Sequence, residues 1–364
     1  MRRTLKFSLN LANTNKIQEL KDLSKEYKRV VNYYLMVLFS KDEYILSEEE
    51  VKSCDSLLSY RYRQCAKRQA IKIWKSWRRN TKKGKLPEFD GALILDNRFI
   101  KIEKAGASTF DYWARMATLN KGHPVLLPIK SYDYAKGYFD NWKLINGGRL
   151  KQEGSNWFLI LTFEKETQPK KKEGEIIGID IGIKKLMATS EKKFYGKEIE
   201  LLMDKIQKKK QGSKAFRRAI SERDYYIGKT VKELPLGSLK AIVMENICNI
   251  KRNTKKEKRL RKEFRSKFQR WTYPLLFSRI NQLCEADGVH FYAVDPAYTS
   301  QTCSNCGFVH KLSRNGEIFK CRNCGYTQDA DYNASLNILN LGITQQSMVA
   351  GSTKVSQMDI YPLN

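Results

Sequence analysis

Seven side chains have the types and spacing to do chemistry. Four of the eight cysteines fall within 22 residues as Cys303-Ser-Asn-Cys306 and Cys321-Arg-Asn-Cys324, each pair followed by glycine. Two C-x-x-C knuckles at this spacing aim four thiolates at one tetrahedral Zn2+, and a four-thiolate set leaves no open position, so the ion is structural. The other three are acids in apolar surroundings. Asp180 stands in Ile176-Ile-Gly-Ile-Asp-Ile-Gly-Ile183, and Glu245 ends the apolar run Ala241-Ile-Val-Met-Glu-Asn246. Asp331 lies in Asp329-Ala-Asp-Tyr-Asn-Ala-Ser-Leu-Asn-Ile-Leu339, with Asp329 as its competitor, and either could instead cap the helix that follows. An ionised carboxylate among apolar residues costs several kcal/mol unless it is paired or holds a metal. Mg2+ takes carboxylate oxygens and keeps part of its water shell. Two such ions clamp the attacking and leaving oxygens of a phosphodiester. The chemistry these acids suggest is therefore phosphodiester hydrolysis. The only histidines, His123, His290 and His310, form no catalytic set, and His290 reads as packed in a strand.

The charge balance agrees with a polyanionic substrate. The 364 residues carry 68 Lys and Arg against 39 Asp and Glu, a formal charge of +29. Such a surplus repels itself in a compact fold and is tolerated when nucleic acid neutralises it. No run approaches the about 18 apolar residues that a membrane helix needs, and the basic start lacks a long apolar segment, so a cytoplasmic protein is expected. Without a secretory context the scattered Cys54, Cys65, Cys248 and Cys284 read as buried small apolar residues rather than disulfides.

The elements that must hold these groups follow from periodicity. Residues 4–11 alternate as a strand. From Ile17 the apolar positions Leu20, Leu23, Tyr27, Val30, Val31, Tyr34 and Leu38 share one helical face. Ser47 and Glu50 form a capping box. A third helix turns Leu58, Tyr62, Cys65, Ala66, Ile73, Trp74 and Trp77 inward. Its other face carries Arg61, Arg63, Lys67, Arg68, Lys72, Lys75, Arg78 and Arg79, a phosphate-facing surface in this reading. After a basic linker near 82–88 the period becomes two. Short strands are expected at 92–95, 99–104, 124–130, 142–145 and 157–163, as in a small antiparallel barrel. The second half starts with two strands over 175–190, then a basic helical stretch at 205–218, a buried strand at 240–246, a helix at 271–284 with Pro274, and a strand at 289–294. Between them, residues 251–270 hold eleven Lys and Arg against two acids, a second phosphate-binding surface. The aromatics Trp74, Trp77, Phe110, Tyr112 and Trp113 are read mainly as core, with base stacking as the alternative.

The order of these motifs resembles TnpB, the RNA-guided nuclease of bacterial and archaeal insertion sequences, which is kin to compact type V CRISPR effectors. The resemblance runs through Gly-Ile-Asp-Ile-Gly-Ile-Lys-Lys185, the Glu245 strand, Asp295-Pro-Ala-Tyr-Thr-Ser-Gln-Thr-Cys303, the cysteine ribbon and Asp329-Ala-Asp-Tyr-Asn-Ala334. It is specific over about 175–340, weaker over 86–165 and weakest over 1–80. It implies an α/β chain with a β-barrel and a helical lobe. In detail, it implies an RNase H-like RuvC nuclease domain (175–342) with an inserted zinc ribbon (300–328), a wedge barrel resembling an oligonucleotide-binding fold (1–12 and 86–170), a helical recognition domain (13–85) and a flexible tail (343–364). By motif match Asp180, Glu245 and Asp331 take the catalytic magnesium positions, Asp331 being preferred to Asp329 because it precedes the x-Asn-Ala segment. Cys303, Cys306, Cys321 and Cys324 hold zinc. Arg61, Lys67, Arg68, Lys72, Lys75, Arg78, Lys255, Lys256, Arg259, Arg261 and Arg265 are the expected nucleic-acid contacts. The implied activity is guide-RNA-directed cleavage of double-stranded DNA beside a short transposon-adjacent motif, with base pairing reading the sequence. The alternatives are a CRISPR effector, a non-cleaving RNA-guided regulator, which the presence of all three acids disfavours, and a strand-transferring transposase, which nothing in the motifs supports.

Overall fold

The computed structural model describes residues 1–80, 84–106, 108–145, 147–247 and 270–350. The chain divides into two compact units, Met1–Glu166 and Thr167–Asn364.

The first unit opens with β1 (Arg2–Ser8), then α1 (Thr14–Lys41), α2 (Glu48–Ser53) and α3 (Tyr60–Arg79). The apolar stripe of α1 is buried from Leu20 to Leu38, as its 3.6-residue period requires. The Ser47–Glu50 capping box starts α2. On α3, Tyr62, Cys65, Ala66, Ala70 and Trp74 turn inward. There follow β2 (Leu93–Leu95), β3 (Ile100–Lys104), β4 (Tyr112–Met116), β5 (Val125–Ile129), α4 (Asp133–Asn141), β6 (Lys143–Leu144), β7 (Gly148–Glu153) and β8 (Asn156–Glu164). Strand β1 does return to this part of the chain, lying antiparallel to β8 from Arg2↔Glu164 to Ser8↔Phe158. The expected single barrel is corrected in one respect. Among the described residues the ladders form two sheets, β1-β8-β7-β2 with β6 beside β8, and β3-β4-β5. Both sheets and the helices share one apolar core.

The second unit contains β9 (Glu175–Ile181), β10 (Met187–Thr189), β11 (Phe194–Tyr195), α5 (Ile199–Gln207), α6 (Lys214–Val231), β12 (Leu239–Glu245), α7 (Tyr273–Ala286), β13 (His290–Val294), β14 (Arg314–Asn315), β15 (Ile318–Lys320), β16 (Thr327–Asp329) and α8 (Ala330–Ala350). The central sheet has the order β11-β10-β9-β12-β13. Strand β10 is antiparallel to β9, whereas β12 is parallel to both β9 and β13. One face, through Ile177, Ile179, Ile242 and Met244, packs on α5, α6 and α7. The other face receives α8: Val243 meets Ile338, and Gly178 lies against the backbone of α8 at Ser335 and Leu339. A small antiparallel sheet, β14-β15-β16, sits between β13 and α8 in the chain.

Two further expectations are corrected here. The basic stretch at 205–218 is two helices, because Gly212 takes a left-handed φ of 82° and Ser213 caps α6 by accepting from the Phe216 N–H. Of the tail expected over 343–364, residues 343–350 instead continue α8, and 351–364 lie outside the described residues.

Candidate active site

The sheet delivers the first two acids together. Register pairs Ile179 of β9 with Met244 of β12, so Asp180 and Glu245 come next to each other at the ends of adjacent parallel strands. Strand alternation puts both on the face that α8 covers, opposite to Ile179 and Met244. Asp331 occupies the first turn of α8. Asp180 is half-buried, and its carboxyl is pushed well above the usual carboxylate range, first by burial and then by the negative charges of Glu245 and Asp331. Burial raises Glu245 too, opposed by a hydrogen bond from the Thr299 hydroxyl and by Arg314. A buried Asp180 carboxyl with the charges of Glu245 and Asp331 beside it makes the donor set a hard divalent cation requires.

Asp329, the competitor, has a different task. One of its oxygens accepts the backbone N–H groups of Asp331 and Tyr332, which makes Asp329 the cap of α8. Its other oxygen is paired with Lys185 at 2.6 Å. Asp331 is therefore not the cap, and its carboxylate is left to the site, where it accepts from Arg314 at 2.7 Å and stands 3.8 Å from Lys185.

Sequence reasoning missed the residues that hold the acids in place. Arg314 belongs to the ribbon, and Thr299 is fully buried in the loop between β13 and the first knuckle. That loop is tied to α8 by two asparagines. Asn337 donates to the carbonyls of Thr299 and Thr302, while Asn333 donates to the Thr302 carbonyl and accepts from the Ser304 N–H. Their spacing of four along a helix was a readable signal of one shared face.

The cysteine site is closed and symmetric. Cys303 and Cys324 sulfurs lie 3.8 Å apart, and those of Cys306 and Cys321 3.6 Å apart. Zn–S bonds of about 2.3 Å in a tetrahedron require about 3.8 Å between sulfurs, so the quartet fits the ion. Each knuckle turns on a left-handed glycine, Gly307 at φ 74° and Gly325 at φ 73°. Asn305 donates to the Cys324 sulfur, and Asn323 donates to that of Cys306, so each knuckle steadies a ligand of the other. The Tyr326 N–H, with Asn305, draws the Cys324 thiol down to about 6. Among the described residues this quartet is the one set of three or more ligand groups whose atoms all lie within 4.8 Å of each other; the carboxylates are spaced more widely.

The expected nucleic-acid contacts divide. Arg61, Lys72 and Lys75 are exposed and Lys67 is half-buried, and none has an ion pair among the described residues. Arg68 and Arg78 are engaged within the protein. Arg68 pairs with Asp96 at 3.4 Å and donates to the Cys65 sulfur, and Arg78 pairs with Asp42 at 2.5 Å and lies over the Trp74 ring. Lys255, Lys256, Arg259, Arg261 and Arg265 lie outside the described residues. Trp74 is core, and Tyr112 stacks on Phe139 at 3.8 Å. His290 stacks on Tyr292 within β13.

Residues 273–338 match the family described as Cas12f1-like, TNB domain. Over 146 residues the chain is 38% identical to the CRISPR-associated endodeoxyribonuclease Cas12f1 of Sulfoacidibacillus thermotolerans, covering 39% of this chain and 29% of that protein. It is 29% identical over 238 residues to a TnpB-like protein of Methanocaldococcus jannaschii, covering 57% of this chain and 82% of that one. These matches liken the chain to TnpB-like proteins and to the compact type V effectors. It spans only 29% and 41% of the lengths of the Cas12f1 and Cas12f2 relatives it matches. The Cas12f1 chain of a solved Cas12f1–sgRNA–target DNA complex has a similar fold, with a TM-score of 0.57 at 16% identity over 90% of this chain and 82% of that one.

Proposed function

We propose that the chain is an RNA-guided DNA endonuclease of the insertion-sequence type, with the second unit as an RNase H-like RuvC nuclease domain. The observation that carries the reading is the convergence of Asp180, Glu245 and Asp331 from two parallel strands and a helix onto one half-buried site. The names of the relatives, endodeoxyribonuclease and TnpB-like protein, point the same way.

In this reading the three acids hold two Mg2+ ions, and the quartet Cys303, Cys306, Cys321 and Cys324 holds a structural Zn2+. When bound, the magnesium pair supplies an activated water and stabilises the departing 3′ oxygen. The chain's own residues do the rest. Thr299 fixes the Glu245 carboxylate by hydrogen bonding. Asp329 and Lys185 fix the first turn of α8 and with it Asp331. Arg314 keeps a cation at the ribbon side of the acids, within reach of a phosphodiester oxygen. The surplus of positive charge binds guide RNA and double-stranded DNA, and base pairing selects the target beside a short adjacent motif. A prokaryotic cytoplasmic setting goes with this role.

The test is cleavage of a plasmid carrying the guide's target by the full chain assembled with the RNA that copurifies with it. Wild type is expected to cut in Mg2+, and Asp180→Ala is expected to bind RNA normally without cutting. Equal cutting by both proteins refutes the assignment of the acids.

A further inference from the structure

We propose that Tyr273, the first residue of α7, is a positioning residue of the nuclease site: its hydroxyl fixes the main chain at Glu245 and so sets where that carboxylate stands. The inference rests on the nuclease reading above and adds the residue that secures the strand end of the site.

The strand ladder around Glu245 is one-sided. Toward β13 it runs through Glu245↔Val294, and the next N–H, that of Asn246, still donates to the Val294 carbonyl at 2.8 Å. Toward β9 it stops at Met244↔Ile179, one residue short. Successive residues of a strand turn their N–H and C=O groups to alternate sides. With Asn246 facing β13, the Glu245 carbonyl and the Ile247 N–H face away from it. The Tyr273 hydroxyl takes both. It donates to the Glu245 carbonyl at 2.6 Å and accepts from the Ile247 N–H at 3.2 Å. One phenol thus stands in for the next rung of the ladder.

The ring that carries this hydroxyl is itself held. Tyr273 is buried in the core on the α5–α7 face of the sheet, with the Phe277 ring 5.4 Å away and Phe277 in turn against Phe291 of β13 at 4.8 Å. Glu245 sends its side chain to the opposite face, where the Thr299 hydroxyl donates to it. The residue is therefore gripped from both faces of the sheet, at its carbonyl by α7 and at its carboxylate by the loop before the ribbon. Thr299 fixes the far end of the side chain; the Tyr273 bond fixes the peptide from which that side chain departs. Phenylalanine at 273 would keep the ring and its packing while leaving two main-chain groups without this partner, so the hydroxyl can be tested apart from the ring.

Guide-loaded wild type, Tyr273→Phe and Leu276→Ala are compared in single-turnover cleavage of target DNA across a Mg2+ titration, and Mn2+ binding to each RNA-free full chain is followed by electron paramagnetic resonance. Leu276, buried on the same helix, is the apolar control. Tyr273→Phe should cut about 10–100-fold more slowly, need about tenfold more Mg2+ and bind Mn2+ about tenfold more weakly, with RNA affinity unchanged. Leu276→Ala should melt at a lower temperature yet keep the wild-type Mg2+ requirement and Mn2+ affinity. A Tyr273→Phe protein with the wild-type rate and metal dependence overturns the proposal, whatever its melting temperature. So does an equal shift of metal dependence in both variants, which would mark a general loosening of α7. If wild type does not cut and its Mn2+ binding survives Asp180→Ala, the nuclease reading itself falls; a wild type that cuts and depends on Asp180 but is indifferent to loss of the Tyr273 hydroxyl removes this inference alone.

Discussion

Gly178 is where the second unit is most sensitive to one added carbon. It lies on β9 two residues before Asp180, on the face covered by α8. A Cβ built there would stand 2.2 Å from the Ser335 carbonyl oxygen and 2.6 Å from the Leu339 nitrogen. Both neighbours are helix backbone and cannot swing aside. To restore even a tight contact of 3.0 Å, α8 must retreat by 0.8 Å, the difference between 3.0 and 2.2. Gly178 has ordinary strand backbone, so alanine would otherwise stabilise the strand slightly by restricting the unfolded chain. Any loss in Gly178→Ala is therefore a packing loss, about 1–3 kcal/mol for overpacking. In a unit of this size that lowers the melting temperature by about 2–12 °C. The same retreat carries Asp331 away from Asp180, and a displacement near 1 Å at a catalytic group costs about a hundredfold in rate. Thermal denaturation and single-turnover cleavage of target DNA by the guide-loaded protein measure the two effects. A Gly178→Ala protein that melts and cuts like wild type would refute the close seating of α8 on β9, and with it the gathering of the three acids.

Thr299→Val should lower cleavage by about 10–100-fold and raise the Mg2+ requirement, with Thr299→Ser restoring both, because the lost hydroxyl orients Glu245; a Mg2+ titration of the cleavage rate reads this. Cys321→Ser should abolish bound zinc and destabilise the ribbon, as metal analysis and thermal denaturation would register. In the first unit Glu26 accepts two hydrogen bonds from Arg29 and others from Ser56 and Leu57, and the Arg29 contact leads in holding its carboxyl near 2. A depressed carboxylate stabilises the fold above its unfolded pKa of about 4.3 and loses that contribution as pH falls through its folded value. Glu26→Gln should thus be less stable than wild type at pH 7, with the gap closing as acid urea-denaturation curves approach pH 2.

The long amphipathic helices and the cysteine knuckles were legible because each declares itself locally. The apolar stripe of α1 and the two glycine-terminated C-x-x-C turns need no distant partner to be recognised. Other elements carry no such signature. Strand β7 reads Gly-Arg-Leu-Lys-Gln-Glu, with a single apolar residue, and forms through its ladder with β8. Helix α4 contains Gly137, which disfavours helix, and is held by packing of Tyr138 and Phe139 on Phe163. In the candidate site, residue type and motif order singled out three acids that the fold brings near one another. Their orienting partners are ordinary polar residues whose role appears only when Thr299 reaches Glu245, or Arg314 reaches Asp331, across 54 and 17 residues of chain.

The ribbon enters and leaves at the acids themselves. Three residues separate Thr299 from Cys303, and β16 runs into α8 with no intervening loop. For anyone wishing to shorten this chain, the finger is thus not a removable appendage. A plain linker in its place would detach one brace from Glu245 and unhinge the start of the helix that presents Asp331. The turn at 208–213 between α5 and α6, whose Gly212 has open space around it, offers a gentler place for surgery.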